Sequence, residues 1–206
     1  DIPPHNLREV AQACIHLLKD PGASLDDLLE YIKGPDFPTG ATIYGIDGIL
    51  DMYRTGQGRF HIRSEAEVRD DSSGKKIVIT SIPYQVRKAS MLKGIAELVT
   101  KETVKGIRDI RDESSKEGIR VVIEVKNNAD PHAILNQLYK SSRLQESYSA
   151  NMMGILDGAP VQLDLSTILH TYVRHRESVI ERRTQFDLNK AEARAHILEG
   201  LMAAQK

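Results

Sequence analysis

The most constraining feature of this sequence is a segment, residues 165–199, that contains neither glycine nor proline. Charged residues are spread throughout it, which favours one continuous helix over a series of strands. We expect this helix to run from Leu165 to about residue 206, a length of roughly 60 Å. Such a helix is longer than a small globular body is wide, so it must pack along another helix or act as a strut in a larger assembly.

The apolar positions of this helix follow a coiled-coil pattern only in part. Its apolar residues recur at a spacing near 3.5 residues and are Leu165, Leu169, Tyr172, Val179, Phe186, Ile197 and Leu201. Three basic residues interrupt the same stripe at intervals of seven residues, namely Arg176, Arg183 and Lys190. The pattern therefore predicts pairing with another helix over part of the length and contact with a charged surface elsewhere.

Residues 1–164 alternate between short amphipathic helices and β-hairpins, which predicts an α+β fold. Helices are predicted at 6–19, 24–32, 46–54, 85–101 and 131–142. Strands are predicted at 59–68, 76–82, 147–156 and 159–163, with a further hairpin across 106–126. The strand at 59–68 alternates, with Phe60, Ile62 and Ser64 on one side. The other side carries Arg59, His61, Arg63 and Glu65, so we expect a half-buried strand with a basic outer face.

The composition is that of a soluble globular protein, with 40% hydrophobic and 28% charged residues. No apolar run approaches the roughly 18 residues that a membrane span needs, and the acidic, proline-rich start does not resemble a secretory signal. Cys14 is the single cysteine and lies on the apolar face of the first predicted helix. We therefore expect a buried thiol and a protein of the reducing cytoplasm.

The net charge of −1 conceals an uneven distribution. Residues 1–53 hold three Lys and Arg against nine Asp and Glu, whereas residues 54–126 hold sixteen against eleven. Residues 127–206 hold nine of each. This distribution predicts an acidic lobe beside a local basic face, and it excludes a protein that coats a polyanion over its whole surface.

No motif in the sequence supplies a complete catalytic site. The seven histidines form no HExxH pair, no cysteine pair is present for zinc, and neither a GxxxxGK[ST] phosphate loop nor a GxSxG motif occurs. The carboxylates of Asp109, Asp112 and Glu113 lie among Arg108, Arg111 and Lys116, a pattern typical of an ion-paired loop. We therefore expect a module that holds or bends a partner while the chemistry lies elsewhere.

The first seven residues, DIPPHNL, place an isoleucine in front of two prolines. Proline fixes its own φ and disfavours helix at the preceding residue, so Ile2 lies on a stiff, extended lead-in that ends where Asn6 caps the first helix. One interpretation of Ile2 is a hydrophobic staple that packs on the first turn or on an adjacent sheet. The other is an apolar wedge, which proteins insert between base steps to kink nucleic acid. The seven residues alone favour the staple, but they do not decide between the two interpretations.

Seven sequence blocks stand in a recognisable order along the whole chain. They are IPPHNL, GPDFPTG, YRTGQGRF, IPYQV.KA, RDESSKEGIRVVIEVK, RHR…RRT.F.L and HILEGL. Together they resemble the A subunit of bacterial type IIA topoisomerases, the family that comprises the A subunits of DNA gyrase and topoisomerase IV. DIPPHNLREVAQA and HILEGL are more similar to topoisomerase IV, whereas GPDFPTG, YRTGQGRF and GIRVVIEVK are more similar to gyrase, which we favour.

This resemblance implies a particular fold. Residues 1–164 would form the tower domain, an α+β domain with an antiparallel sheet flanked by helices. Residues 165–206 would form the first long helix of a coiled-coil arm.

The resemblance also implies where the chemistry lies. In that family the nucleophile is a tyrosine that directly follows an arginine, upstream of IPPHN, and none of the seven tyrosines here follows an arginine. The chain would thus be an inactive fragment of a DNA breakage-reunion core. Mg²⁺ and ATP would be bound not by this chain but by the B subunit. The implied partners are double-stranded DNA, two B subunits and a second A subunit in an A2B2 heterotetramer, with no membrane.

Candidate contact residues follow from the resemblance and from charge. The resemblance implies that Ile2 inserts into bent DNA from its Pro3 mount, with His5 and Asn6 close to the DNA backbone. Binding to duplex DNA without sequence preference depends on Lys and Arg, and the candidates are Arg59, Arg63, Lys75, Lys76, Arg87 and Lys88. The alternative hypothesis is a protein–protein or dimerisation scaffold, in which residues 165–206 are the interaction helix and the basic residues are merely solvated.

Overall fold

The computed structural model describes residues 1–71 and 74–205, apart from the side chain of Asp71. Residues 72–73, between the predicted strands at 59–68 and 76–82, and residue 206, the last of the predicted long helix, lie outside the described residues. Within the described range the chain forms helices and antiparallel strands, so the expected α+β class is confirmed. The helices are α1 (Leu7–Lys19), α2 (Leu25–Leu29), α3 (Ile46–Thr55), α4 (Lys88–Thr100), α5 (Pro131–Ser141) and α6 (Leu165–Ala204).

The strands form three separate antiparallel sheets. Their ranges are β1 (Thr42–Tyr44), β2 (Gln57–Arg63), β3 (Ala66–Asp71), β4 (Gly74–Ile79), β5 (Ile107–Asp112), β6 (Val121–Val125), β7 (Gln145–Asn151), β8 (Met153–Leu156) and β9 (Ala159–Gln162). The orders are β1-β2-β7, β3-β4-β6-β5 and β8-β9. The predicted hairpin at 106–126 is thereby confirmed, and β8 pairs with β9 across Asp157-Gly158.

Two predicted strands are divided where the chain passes from one sheet to another. The expectation of one strand at 59–68 is wrong, because β2 ends at Arg63 and β3 begins at Ala66. Between them the buried Ser64 donates its N–H to the Leu144 carbonyl. The strand expected at 147–156 is likewise divided at Met152, whose N–H donates to the Gly56 carbonyl at 2.7 Å.

One predicted helix begins later than expected. The apolar spacing predicted a helix from residue 85, but α4 begins at Lys88. Gln85 has a φ of 64°, in the left-handed region, which a continuing α-helix does not allow.

The chain divides into two compact units. The first unit comprises residues 1–7 and 33–164, and the second comprises residues 8–32 with the long helix from Leu165. The prediction of a domain at 1–164 and a helical arm at 165–206 stays a prediction about the longer protein.

The core of the first unit lies against the four-stranded sheet. Alternate residues of β4 and β6 pack with α4 and α5, and the fully buried members are Ile77, Ile79, Met91, Ile95, Val121, Ile123 and Leu138. The inner face of the three-stranded sheet adds an aromatic cluster in which Phe60 stacks on Tyr148 with ring centroids 5.3 Å apart. Burial of these side chains supplies the main stabilisation of this unit.

Helix α3 packs on strand β2 through two glycines. A Cβ atom on Gly48 would overlap the carbonyl oxygen of Arg59, and a Cβ on Gly58 would overlap the carbonyl oxygen of Gly48. Gly56, with a φ of 78°, ends α3 by donating its N–H to the Met52 carbonyl. Glycines at these positions therefore let α3 pack directly on the backbone of β2.

The second unit contains α1, α2 and the 40-residue helix α6. The predicted long helix is confirmed, and its first turns contact α2. Cys14 is buried as expected, and burial raises the pKa of its thiol. Ser24 caps α2 with a capping box, since its side chain accepts from Asp27 N–H and Asp27 accepts from Ser24 N–H in return.

Candidate nucleic-acid interface

The lead-in to α1 is fastened to the first unit on both sides of Ile2. The Asn151 N–H donates to the Asp1 carbonyl at 3.2 Å, and the Asp36 N–H donates to the Pro4 carbonyl at 2.9 Å. Pro3 between them is buried. Ile2 itself is 50% exposed, so an apolar side chain projects from a backbone that is held in place.

His5 and Asn6 also hold this lead-in. The Pro3 carbonyl oxygen can only accept a hydrogen bond. His5 Nδ1 is therefore protonated and donates to that oxygen at 2.8 Å. In the neutral ring, Nε2 then accepts from the hydroxyl of the buried Tyr53, also at 2.8 Å. Asn6 Nδ2 donates to Asp36 Oδ2 at 3.0 Å. These two side chains, expected near a DNA backbone, thus bind within the chain.

The outer side of the three-stranded sheet is a polar surface, which we call the cationic face. The β2 residues Gln57, Arg59, His61 and Arg63 lie on it, paired with Asn151, Ser149, Ser147 and Gln145 of β7. Thr42 and Tyr44 of β1 complete it. No carboxylate occupies any of these described strand positions, so the basic outer face predicted for this strand is confirmed over residues 57–63. Glu65, predicted on the same face, lies beyond the end of β2.

Both arginines of the cationic face are oriented by the neighbouring strand. Arg59 Nε donates to Ser147 Oγ at 2.6 Å, and Arg63 Nε donates to Gln145 Oε1 at 2.7 Å. The Arg63 guanidinium also lies between two aromatic rings, 4.2 Å from the Tyr44 centroid and 4.6 Å from the Tyr139 centroid. Arg63 is therefore the more firmly held of the two.

Tyr139 reaches this face from α5. Its hydroxyl donates to the Ser64 carbonyl at 2.9 Å. Burial raises the pKa of Tyr139, an effect that the Arg63 charge opposes and Tyr44 reinforces. The side chain is thus a neutral phenol at pH 7, with its ring against the guanidinium and its hydroxyl tied to the backbone.

The other predicted cations lie away from the cationic face. Lys75 Nζ donates to the carbonyls of Asn127 and Ala129 at 3.1 and 3.2 Å, and Lys76 is half-buried on the same strand, β4. Lys88, in the first turn of α4, forms an ion pair with Asp112 at 2.7 Å, next to the exposed Arg87. Of the six candidate phosphate contacts, Arg59 and Arg63 lie on the cationic face, whereas the other four lie on β4 and at the start of α4.

The expected ion pairing is present for Asp112 and Glu113, but Arg108, Asp109, Arg111 and Asp112 lie in strand β5 and not in a loop. Asp112 pairs with Lys88, and Glu113 pairs with Arg120 at 3.1 Å and with Arg111 at 3.6 Å. Arg111 also contacts Glu124 at 2.6 Å across the β5–β6 pair. The pairing is set by strand register, which the local order of charges did not predict.

Sequence reasoning missed the residues that orient the two arginines. Tyr44 and Tyr139 lie far from Arg63 in the chain, and β7 is more than 80 residues away from β2. A signal existed in QESYSAN, where polar residues alternate with Tyr148 and Ala150, but alternation does not identify the partner strand.

The described part of the chain contains neither a metal-binding group nor a membrane-spanning helix. No group of three or more His, Cys, Asp or Glu side chains is arranged to hold a metal ion. None of the described helices combines the length and apolar content that crossing a membrane requires.

These features define an α+β protein with a carboxylate-free cationic sheet face, an anchored exposed isoleucine and a 40-residue helix. The chain belongs to the DNA gyrase/topoisomerase IV A-subunit family, whose model matches residues 1–206. The resemblance inferred from the sequence blocks is thereby confirmed.

Individual relatives agree with this assignment. The chain is 49% identical over 205 residues to the DNA gyrase A subunit of Clostridium acetobutylicum, covering 99% of this chain and 25% of that protein. It is 48% identical to the chloroplastic/mitochondrial DNA gyrase A subunit of Arabidopsis thaliana and 45% identical to the DNA gyrase A subunit of Pseudomonas aeruginosa. These matches cover 98% and 99% of this chain and 22% of each relative. The chain thus spans about a quarter of the length of these relatives.

Proposed function

We propose that this chain belongs to the DNA breakage-reunion core of a type II DNA topoisomerase, where it binds and bends the gate-segment duplex. The parent enzyme would change DNA topology at the expense of ATP, by negative supercoiling if it is a gyrase and by decatenation or relaxation if it is a topoisomerase IV. The names of the relatives above favour gyrase.

The observation that carries this proposal is the cationic face. Duplex DNA presents closely spaced phosphates, and a protein surface that binds them needs Lys or Arg without competing carboxylates. Arg59 and Arg63 meet that requirement, and each engages one protein acceptor through Nε. We assign these two residues the main phosphate contacts, with Arg87 as a further candidate. Lys75, Lys76 and Lys88 are weaker candidates because each already interacts with other groups of the chain.

We assign Ile2 the role of the wedge. An inserted side chain must resist displacement by the stacked bases, so it needs a stiff backbone behind it. Here the buried Pro3 and the hydrogen bonds at Asp1 and Pro4 supply that stiffness. The Asp1 bond joins the lead-in to Asn151 at the end of β7, a strand of the same sheet that carries the cationic face. His5 and Asn6 act by fixing the mount, and any contact that they make to the DNA backbone comes in addition.

The cleavage chemistry lies outside this chain in our proposal. No tyrosine here follows an arginine, and the described carboxylates do not cluster in a way that fits a magnesium site. Mg²⁺ and ATP would be bound by a B subunit, in a cytoplasmic A2B2 assembly that includes a second copy of the parent protein. This chain alone would be inactive.

A scaffold function has one observation in its favour. The outer half of α6 exposes large apolar side chains, including Phe186 at 67%, Ile197 at 63% and Leu201 at 60%. Exposed apolar positions on a long helix suit pairing with another helix. Helix pairing through α6 is compatible with DNA binding through the cationic face, so we regard it as the arm that joins subunits.

The test is duplex binding by the 206-residue chain at several salt concentrations. We expect weak binding that falls steeply with salt, because few phosphates are neutralised. The double variant Arg59→Gln, Arg63→Gln should bind more weakly, with a log–log salt slope smaller by about two. The control Arg111→Gln, Arg120→Gln removes the same charge from ion-paired arginines on β5 and just before β6. Equal losses of duplex affinity in the two double variants would contradict the proposal, and so would wild-type affinity that does not change with salt.

A further inference from the structure

Arg59 and Arg63 form a natural comparison within the cationic face. They lie on β2 and on the same face, and each donates its Nε to a side chain of the paired strand β7. Of the two, only Arg63 is also enclosed between two aromatic rings. The two arginines carry the same charge and differ in how far their geometry is fixed.

The contacts of Arg63 fix its guanidinium in three ways. Tyr44 of β1 and Tyr139 of α5 restrict its plane, and Gln145 Oε1 accepts from Nε and thereby sets its rotation within that plane. Tyr139 is itself fixed by the hydrogen bond to the Ser64 carbonyl. No described residue bonds the terminal nitrogens Nη1 and Nη2. The fork of donors that suits a phosphate group is therefore left free in a fixed position.

We propose that Tyr44 and Tyr139 are positioning residues that hold Arg63 as the anchor for one backbone phosphate of a duplex. This inference rests on the proposed function and adds to it a ranking of the contacts. Ordering a free arginine on binding costs side-chain entropy, and a pre-ordered guanidinium avoids that cost. Arg63 would therefore contribute more affinity than Arg59 although their charges are equal.

The test uses conservative pairs in the 206-residue chain, with binding to a duplex measured across a salt series. Tyr44 is 45% exposed on an edge strand, so its replacement should leave the fold intact. Tyr44→Leu should weaken binding about three- to tenfold, because the aromatic contact to Arg63 is lost. Its log–log salt slope should not change, because no charge is removed. Tyr44→Phe keeps the ring and should restore affinity to within about twofold of wild type.

The second pair of variants separates geometry from charge. Arg63→Lys and Arg59→Lys both keep one positive charge, but lysine cannot stack or present a planar fork. The loss of duplex affinity in Arg63→Lys should exceed the loss in Arg59→Lys by about threefold or more. Melting temperatures measured on all variants identify any that fails to fold, and the two lysine variants decide the matter if Tyr44→Leu proves unstable.

Three results would overturn the inference. Equal losses for Arg63→Lys and Arg59→Lys would show that aromatic positioning adds nothing. A Tyr44→Leu variant that folds and binds like wild type would show the same. Absence of salt-dependent duplex binding by the wild-type chain would remove the proposed function and this inference together. Binding that survives while the two arginines behave alike would remove the inference only.

Discussion

At the scale of residues, the polar side chains of the two candidate contact regions are used differently. His5 and Asn6 direct their hydrogen bonds inward, to Pro3, Tyr53 and Asp36. Arg59 and Arg63 each engage a single acceptor through Nε and keep their terminal nitrogens for other partners. In the proposed function, the lead-in is therefore the mount of Ile2, and the cationic face is the surface that binds phosphate.

The ammonium group of Lys88 is bound by the carboxylate of Asp112. This ion pair has a measurable consequence. The Lys88 hydrogen bond, helped by Ser114, lowers the pKa of Asp112 to about 2. Because the folded-state pKa is depressed, the stabilisation from this pair is present above the ordinary carboxyl pKa and is lost as the pH falls towards about 2. Lys88→Met should raise the Asp112 pKa towards its ordinary value, as followed by NMR of the carboxyl carbon.

Lys105→Met serves as the control for this titration, since Lys105 pairs with Glu102 and not with Asp112. Asp112 should titrate in that variant as in wild type. An Asp112 titration that is unchanged in Lys88→Met would contradict the assignment of the shift to the ion pair.

At the scale of elements, the position of the cationic face depends on the close packing of α3 on β2. Gly48→Ala improves the intrinsic helix propensity of α3, yet its new Cβ would overlap the backbone of Arg59. We expect a loss of about 3 kcal/mol or more in the free energy of unfolding, because backbone cannot move aside as a flexible side chain can. Denaturant titration would measure it.

Gly94→Ala is the matched control, a glycine inside α4 with no atom within 4 Å of the added Cβ. There the same substitution should stabilise the protein by about 0.5–1 kcal/mol. We thus expect the two substitutions to change the free energy of unfolding in opposite directions. A Gly48→Ala variant as stable as wild type would show that α3 and β2 do not pack backbone against backbone.

The sequence predicted elements whose signals are local and missed those whose partners are distant. The long helix, the β5–β6 hairpin and the burial of Cys14 follow from patterns within a few residues. The division of 59–68 at Ser64 depends on Leu144, and the pairing of β2 with β7 joins segments that are far apart in the chain. Periodicity carries no information on such contacts, so the surroundings of Arg63 could not be predicted.

At the scale of the whole molecule, helix α6 has few packing contacts along most of its length. Along this described helix, only Leu165 and Leu169 are buried, and the apolar residues of its outer half are largely exposed. A helix draws most of its stability from packing. In a monomeric sample, amides beyond about residue 185 should therefore exchange within seconds to minutes, as measured by hydrogen exchange and mass spectrometry.

Protein concentration provides the control for this exchange measurement. If α6 pairs with a second copy, protection beyond residue 185 should rise with concentration, whereas protection in β4 and β6 should stay constant. Strong protection of the outer helix in a sample shown to be monomeric would contradict this prediction.

The central claim is that Ile2 bends DNA from a rigid mount, and one measurement on the full-length protein that carries this chain tests it. Ile2→Ala should reduce the bend of a bound duplex, seen as lower energy transfer between dyes at its two ends, because the wedge loses on the order of 1 kcal/mol of burial per protomer. Since Ile2 is 50% exposed, the melting temperature should fall by less than about 2 °C. Leu7→Ala, at an apolar position 83% exposed nearby, should change neither quantity. A drop of several degrees in Ile2→Ala with an unchanged bend would show that Ile2 is a staple, and the claim would be wrong.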